Sequence, residues 1–180
     1  NIDTRRGLFR ALLDGAEIRN LKIIADMNRV YTYGGALAGY SEGNIKLDSI
    51  TIMGKVELKS YYCGGMIGSH SNGKLQISNS TVDASITSEG NYVGGLVGYV
   101  NTKDSVTVIN TYIAGSIKGS NYVGGLFGYL NAQDAVCTIK NTSNLNTNFY
   151  IEGRNYVGGM VGELYNAKSF NVDGVSLRHS

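Results

Sequence analysis

A short glycine-rich phrase recurs along the chain at a near-constant interval, and no other feature restricts the fold as strongly. Asn91-Tyr92-Val93-Gly94-Gly95-Leu96-Val97-Gly98-Tyr99 returns as Asn121-Tyr122-Val123-Gly124-Gly125-Leu126-Phe127-Gly128-Tyr129. It returns again as Asn155-Tyr156-Val157-Gly158-Gly159-Met160-Val161-Gly162-Glu163. Looser copies are Tyr62-Cys63-Gly64-Gly65-Met66-Ile67-Gly68 and Tyr33-Gly34-Gly35-Ala36-Leu37-Ala38-Gly39-Tyr40, and Gly7-Leu8-Phe9-Arg10 is a worn first copy. The copies end at residues 10, 39, 68, 98, 128 and 162, so the steps are 29, 29, 30, 30 and 34 residues. A unit of that size cannot bury its own apolar face and is stable only when stacked on copies of itself.

A second pattern runs in phase with the first. Ile18-Arg19-Asn20-Leu21 matches Leu47-Asp48-Ser49-Ile50, Ile77-Ser78-Asn79-Ser80, Val108-Ile109-Asn110-Thr111 and Ile139-Lys140-Asn141-Thr142. Around it apolar residues alternate, as in Ile50, Ile52, Gly54, Val56 and Leu58. Alternation of period two marks half-buried strands, and no long segment has the helical period. A propeller blade needs about 40–50 residues for its four strands. The shorter period predicts an all-β chain: a parallel β-helix (β-solenoid) of about six coils over residues 1–180, one coil per copy.

Composition fits that architecture. The chain has no Pro, as expected where interior strands donate N–H groups to both neighbours. Its 25 Gly form columns, which implies positive φ at a corner or close approach by a large neighbour. Tyr33, Tyr62, Tyr92, Tyr122 and Tyr156 form another column. Leu37, Met66, Leu96, Leu126 and Met160 are expected to face inward, although Ala38, Ile67, Val97, Phe127 and Val161 beside them are equally apolar. Asn20, Asn79, Asn110 and Asn141 suit either an amide ladder along the axis or a repeated polar turn. A net charge of +2 gives no electrostatic case for nucleic acid or a membrane surface, and no apolar run reaches the roughly 20 residues of a membrane span. The start, Asn1-Ile2-Asp3, has neither Met nor a signal peptide and reads as a segment of a longer protein.

Gly95-Leu96-Val97-Gly98 and Gly125-Leu126-Phe127-Gly128, with Gly159-Met160-Val161-Gly162 as a variant, resemble the GLUG motif. Arg10, Ala36 and Ser69-His70 depart from it. The resemblance covers nearly the whole chain and implies a module of a bacterial surface or secreted protein, such as an adhesin or the region upstream of an immunoglobulin A-specific zinc metallopeptidase. It therefore implies an extracellular location and a host protein or glycan as partner.

Candidate chemistry is sparse. A zinc peptidase needs two His one helical turn apart and a general base. This chain has only His70 and His179, and His70, in place of a turn Tyr, is expected at the surface. Asp104 and Asp134 both follow the motif by the same interval and are expected to stack, as an exposed loop, a cation site or an acid pair of a carbohydrate-active enzyme. Gly94-Gly95-Leu96-Val97-Gly98 has the wrong spacing for a phosphate-binding loop, so no cofactor is expected. The repeat positions Gly94, Gly95, Gly98, Gly124, Gly125, Gly128, Gly158, Gly159 and Gly162, with Tyr92, Tyr122 and Tyr156, are assigned to structure. Cys63 and Cys137 are expected as small core residues on different strands. Lys118 and Glu152 are expected to pair, and the first copy, with Arg5, Arg6 and Arg10, is expected to be either a charged cap or a worn repeat that continues into a preceding domain. Two functions follow: a non-catalytic spacer or binding module, or a carbohydrate-active or glycan-binding β-helix.

Overall fold

The computed structural model describes residues 7–29, 32–144 and 149–178. The apolar alternation condenses into twenty strands and, among the described residues, no helix. Every strand pairing is parallel, with partners one repeat apart. The chain is a β-solenoid of about five turns, because six motif copies bound five intervals.

Three sheets run along the axis. The first holds the second half of each motif: β1 (Phe9–Leu12), β4 (Ala38–Glu42), β7 (Ile67–Ser71), β11 (Val97–Asn101), β15 (Phe127–Asn131) and β19 (Val161–Tyr165). The second holds the first half: β3 (Tyr33–Gly35), β6 (Tyr62–Gly64), β10 (Tyr92–Gly94), β14 (Tyr122–Gly124) and β18 (Val157–Gly158). The third closes each turn. Its strands are β2 (Glu17–Arg29), β5 (Ile45–Leu58), β8 (Leu75–Ser78), β9 (Thr81–Ser88), β12 (Val106–Ile109), β13 (Tyr112–Lys118), β16 (Val136–Lys140), β17 (Tyr150–Glu152) and β20 (Ser169–Asp173).

The Asn column combines both of its expected roles. Asn20, Asn79, Asn110 and Asn141, with Ser49, all have φ between 47° and 57°, a left-handed conformation that Asn tolerates better than most residues. The turn shifts the strand's phase by one residue. Leu75 and Ile77 precede Asn79 and Val82, Ala84 and Ile86 follow it, yet both sets are buried. The exposed amides also form a ladder: Asn141 Nδ2 donates to Asn110 Oδ1 at 3.1 Å and Asn110 Nδ2 to Asn79 Oδ1 at 3.0 Å. Asn79 continues it to Asp48 Oδ1 at 2.8 Å.

Stacking fills the core with columns of like residues, such as Leu47, Ile77, Val108 and Ile139. Each fully buried side chain of this kind stabilises the fold by roughly 1.5–3 kcal/mol. Leu37, Met66, Leu96 and Leu126 are buried as expected, but so are Ala38, Ile67, Val97 and Phe127. The two columns flank a corner rather than share a strand, so alternation does not separate them. Cys63 stacks on Val93 and Cys137 on Val106, both as free buried thiols. Lys118 pairs with Glu152 at 2.8 Å, both side chains exposed to solvent.

His70 corrects the sequence expectation of a surface residue. It aligns with Ser41 and Val100, on the inner side of β7, and is fully buried, whereas Ser69 takes the tyrosine place between Tyr40 and Tyr99. Its Nε2–H donates to the Gly73 carbonyl at 3.2 Å and Nδ1 accepts from Ser41 Oγ at 2.9 Å. Both ring nitrogens are thereby satisfied in one neutral tautomer. Arg10 lies exposed on β1; Arg5, Arg6 and His179 lie outside the described residues.

Candidate binding face

The motif glycines build the corner between the first two sheets. A Cβ on Gly98 would sit 2.6 Å from the Cys63 carbonyl oxygen, 2.7 Å from the Cys63 nitrogen and 2.7 Å from the Tyr92 carbonyl oxygen. The large neighbour expected beside these glycines is therefore backbone, not a tyrosine or leucine, and the approach requires Gly at ordinary negative φ. The strands meet backbone to backbone at the glycines. Beside this corner the Tyr92 and Tyr99 rings meet edge to face, their centroids 5.2 Å apart.

Repetition turns this pair into a face. Tyr33, Tyr62, Tyr92, Tyr122 and Tyr156 stack within 11° of parallel, with successive centroids 5.0, 5.2, 4.7 and 4.7 Å apart. A second column follows the motif: Tyr99 stacks on Tyr129 at 5.3 Å, and Tyr40 lies two coils below Tyr99 with Ser69 between them. Tyr62–Tyr99, Tyr92–Tyr129 and Tyr122–Tyr129 lock the columns together at 5.1–5.6 Å. The offset stacking and edge-to-face contacts are the favoured aromatic geometries. The rings are half-buried from Tyr33 to Tyr122 and at Tyr40, Tyr99 and Tyr129, and Tyr156 at the end of the first column is exposed.

Amides border the tyrosines on both sides in the chain. Before the first column, Asn121 Nδ2 donates to Asn91 Oδ1 at 2.7 Å and Asn155 Nδ2 to Asn121 Oδ1 at 2.9 Å. Beyond the second, Asn131 Nδ2 donates to Asn101 Oδ1 at 2.9 Å and Gln133 Nε2 to the same oxygen at 2.6 Å. Near the first coils the Tyr40 hydroxyl bonds Ser71 Oγ and donates to Glu42 Oε2 at 3.1 Å. Desolvation by the neighbouring rings raises the phenol pKa values of Tyr40, Tyr62, Tyr99, Tyr122 and Tyr129, and takes Tyr92 up to about 12. The face therefore presents neutral hydroxyl donors, with Glu163 closing the second column.

The sequence-nominated acids sit elsewhere. Asp104 and Asp134 are exposed in the turns leading to β12 and β16. Register is Asn101↔Asn131 before those turns and Val106↔Cys137 after them, so the second turn is one residue longer. Asp104 N–H donates to Thr102 Oγ1 at 3.0 Å and Asp134 N–H to the Asn166 carbonyl at 2.6 Å. Among the described residues, no three His, Cys, Asp or Glu side chains converge as a metal set. Sequence reasoning missed the second tyrosine column and the flanking amides as a surface. Their signal was the same period, at the first and last places of the motif and two residues beyond it at Asn101 and Asn131, and only the corner geometry joins them. Comparison with known protein families, curated proteins and solved structures yields no match, so the assignment of this face rests on its own geometry.

Proposed function

We propose that the chain is a non-catalytic module of a bacterial surface or secreted protein, a rigid spacer whose tyrosine face binds a host protein or glycan. The observation that carries this reading is the two-column aromatic strip bordered by amides. Half-exposed Tyr with adaptable amide side chains supplies contact area at small entropic cost. Parallel coils hold the strip in one geometry, which lowers the ordering cost of binding. The resemblance to GLUG repeats supports the extracellular setting and makes immunoglobulin A one of the partners to test.

Binding of the module to immunoglobulin A, mucin and matrix glycoproteins tests the reading. Capture of at least one, weakened by Tyr92→Ala, is expected; silence across the panel would leave only the spacer. The competing reading is a carbohydrate-active enzyme using Asp104 and Asp134. Glycan hydrolysis abolished by Asp134→Asn would establish it.

A further inference from the structure

Resting on the binding face just proposed, we infer that its ligand is a neutral, extended β-linked glycan lying along the solenoid axis, one sugar ring per coil. Three observations select this chemistry. The first is pitch: tyrosines repeat every 4.7–5.2 Å along the first column. A β-1,4-linked pyranose chain repeats its rings at close to the same interval. An extended peptide instead returns a side chain to the same face about every 6.6–6.8 Å, and drifts out of register within a few coils.

The second is the pairing of surfaces. Offset rings offer apolar strips to the C–H face of a sugar, while the phenol hydroxyls and the Asn91, Asn121 and Asn155 amides offer donors and acceptors to its hydroxyls. Asn121 donates one N–H to Asn91 and accepts from Asn155, so each of the three amides retains at least one N–H for a ligand. The third is charge. The strip itself is built of uncharged phenols and amides, and the charged groups at its edge are of both signs, Glu42 and Glu163 against Arg10 beside Tyr33 and Tyr40, so no single-sign field recruits a polyion. A sulfated or sialylated chain and a nucleic acid both lack that attraction there.

The test uses the full chain and β-1,4-linked N-acetylglucosamine oligomers from the disaccharide to the hexasaccharide, with α-1,4-linked glucose oligomers, which curve, as the control series. Affinity is expected to rise with each added sugar to the pentasaccharide, one ring for each tyrosine of the column, and then level off. Tyr99→Ser is the informative variant, because Ser69 already occupies that place one coil below without loss of the fold. It should weaken pentasaccharide binding about tenfold while leaving the circular dichroism spectrum unchanged, and Tyr129→Ser should do the same. Absence of binding, affinity independent of length, or equal affinity for the curved series would overturn the glycan assignment. So would a glycoprotein ligand that still binds through these tyrosines after enzymatic deglycosylation, although that result would preserve the binding-face function.

Discussion

At the scale of single residues, the tightest constraint is at the motif glycines. Gly98→Ala forces a methyl against three backbone atoms at 2.6–2.7 Å, and should cost about 3 kcal/mol, the upper range for overpacking. Gly159 holds a motif place too, but its nearest neighbour is the Leu177 side chain at 3.8 Å. Gly159→Ala should change stability by less than about 0.5 kcal/mol, and urea denaturation of both variants checks the contrast. His70 supplies a pH dependence. Burial pushes its pKa from 6.5 down to about 4, against the opposing pull of the Gly73 carbonyl and the Asp104 carboxylate. The unfolded chain therefore takes up the proton first on acidification. The stability linked to neutral His70 is whole above pH 6.5 and is lost as pH falls through about 4, an amount of about 3 kcal/mol. His70→Val, which copies Val100 one coil above, should flatten the melting temperature across that range. The motif phase was legible in the sequence, since Gly68 is followed by Ser69 where Gly39, Gly98 and Gly128 are followed by Tyr, and His70 then falls one place further, on the inward side, which a polar residue in a departing copy concealed.

At the scale of elements, ladders rather than isolated contacts join the strands. Asn110 accepts from Asn141 and donates to Asn79 while holding φ at 51°. Asn110→Ala should destabilise by about 2 kcal/mol, from a left-handed penalty of roughly 1–2 kcal/mol plus the lost ladder. Asn110→Gly relieves the penalty and should recover about half of that loss, so the pair separates strain from hydrogen bonding. The tyrosine columns carry their own signature. Rings held in a desolvated stack resist ionisation, so Tyr40, Tyr62, Tyr99, Tyr122 and Tyr129 should titrate above the ordinary phenol range in the folded chain, and Tyr92 at about 12. The stability linked to neutral Tyr92 is present below pH 10 and lost as pH rises through about 12. A spectrophotometric titration should show late phenolate absorbance that rises together with loss of β-sheet signal. The existence and order of these columns were legible in the repeat period alone. The side each faces was not, because the left-handed Asn turn and the glycine corner both reset the alternation on which inside and outside are read.

At the scale of the whole molecule, stacking makes stability a sum over coils and their contacts with neighbours. The middle coils are covered on both sides, whereas Val157, Leu164, Tyr165 and Val172 of the last described coil are 40–49% exposed. Hydrogen exchange should therefore be slowest in β9, β12 and β13 and fastest in β19 and β20. The same stacking extends one edge-to-face tyrosine pair into a fixed strip, the face proposed above to bind a ligand. Mapping a ligand onto it is the most direct test. The chain would be labelled at its tyrosine rings with carbon-13 and titrated with the β-1,4-linked N-acetylglucosamine pentasaccharide, following ring resonances by NMR. Shifts concentrated at Tyr62, Tyr92, Tyr99, Tyr122 and Tyr129, with Tyr112 and Tyr150 on the third sheet unmoved, are the predicted result. Shifts confined to Tyr112 and Tyr150, or no shifts at saturating ligand, would contradict it.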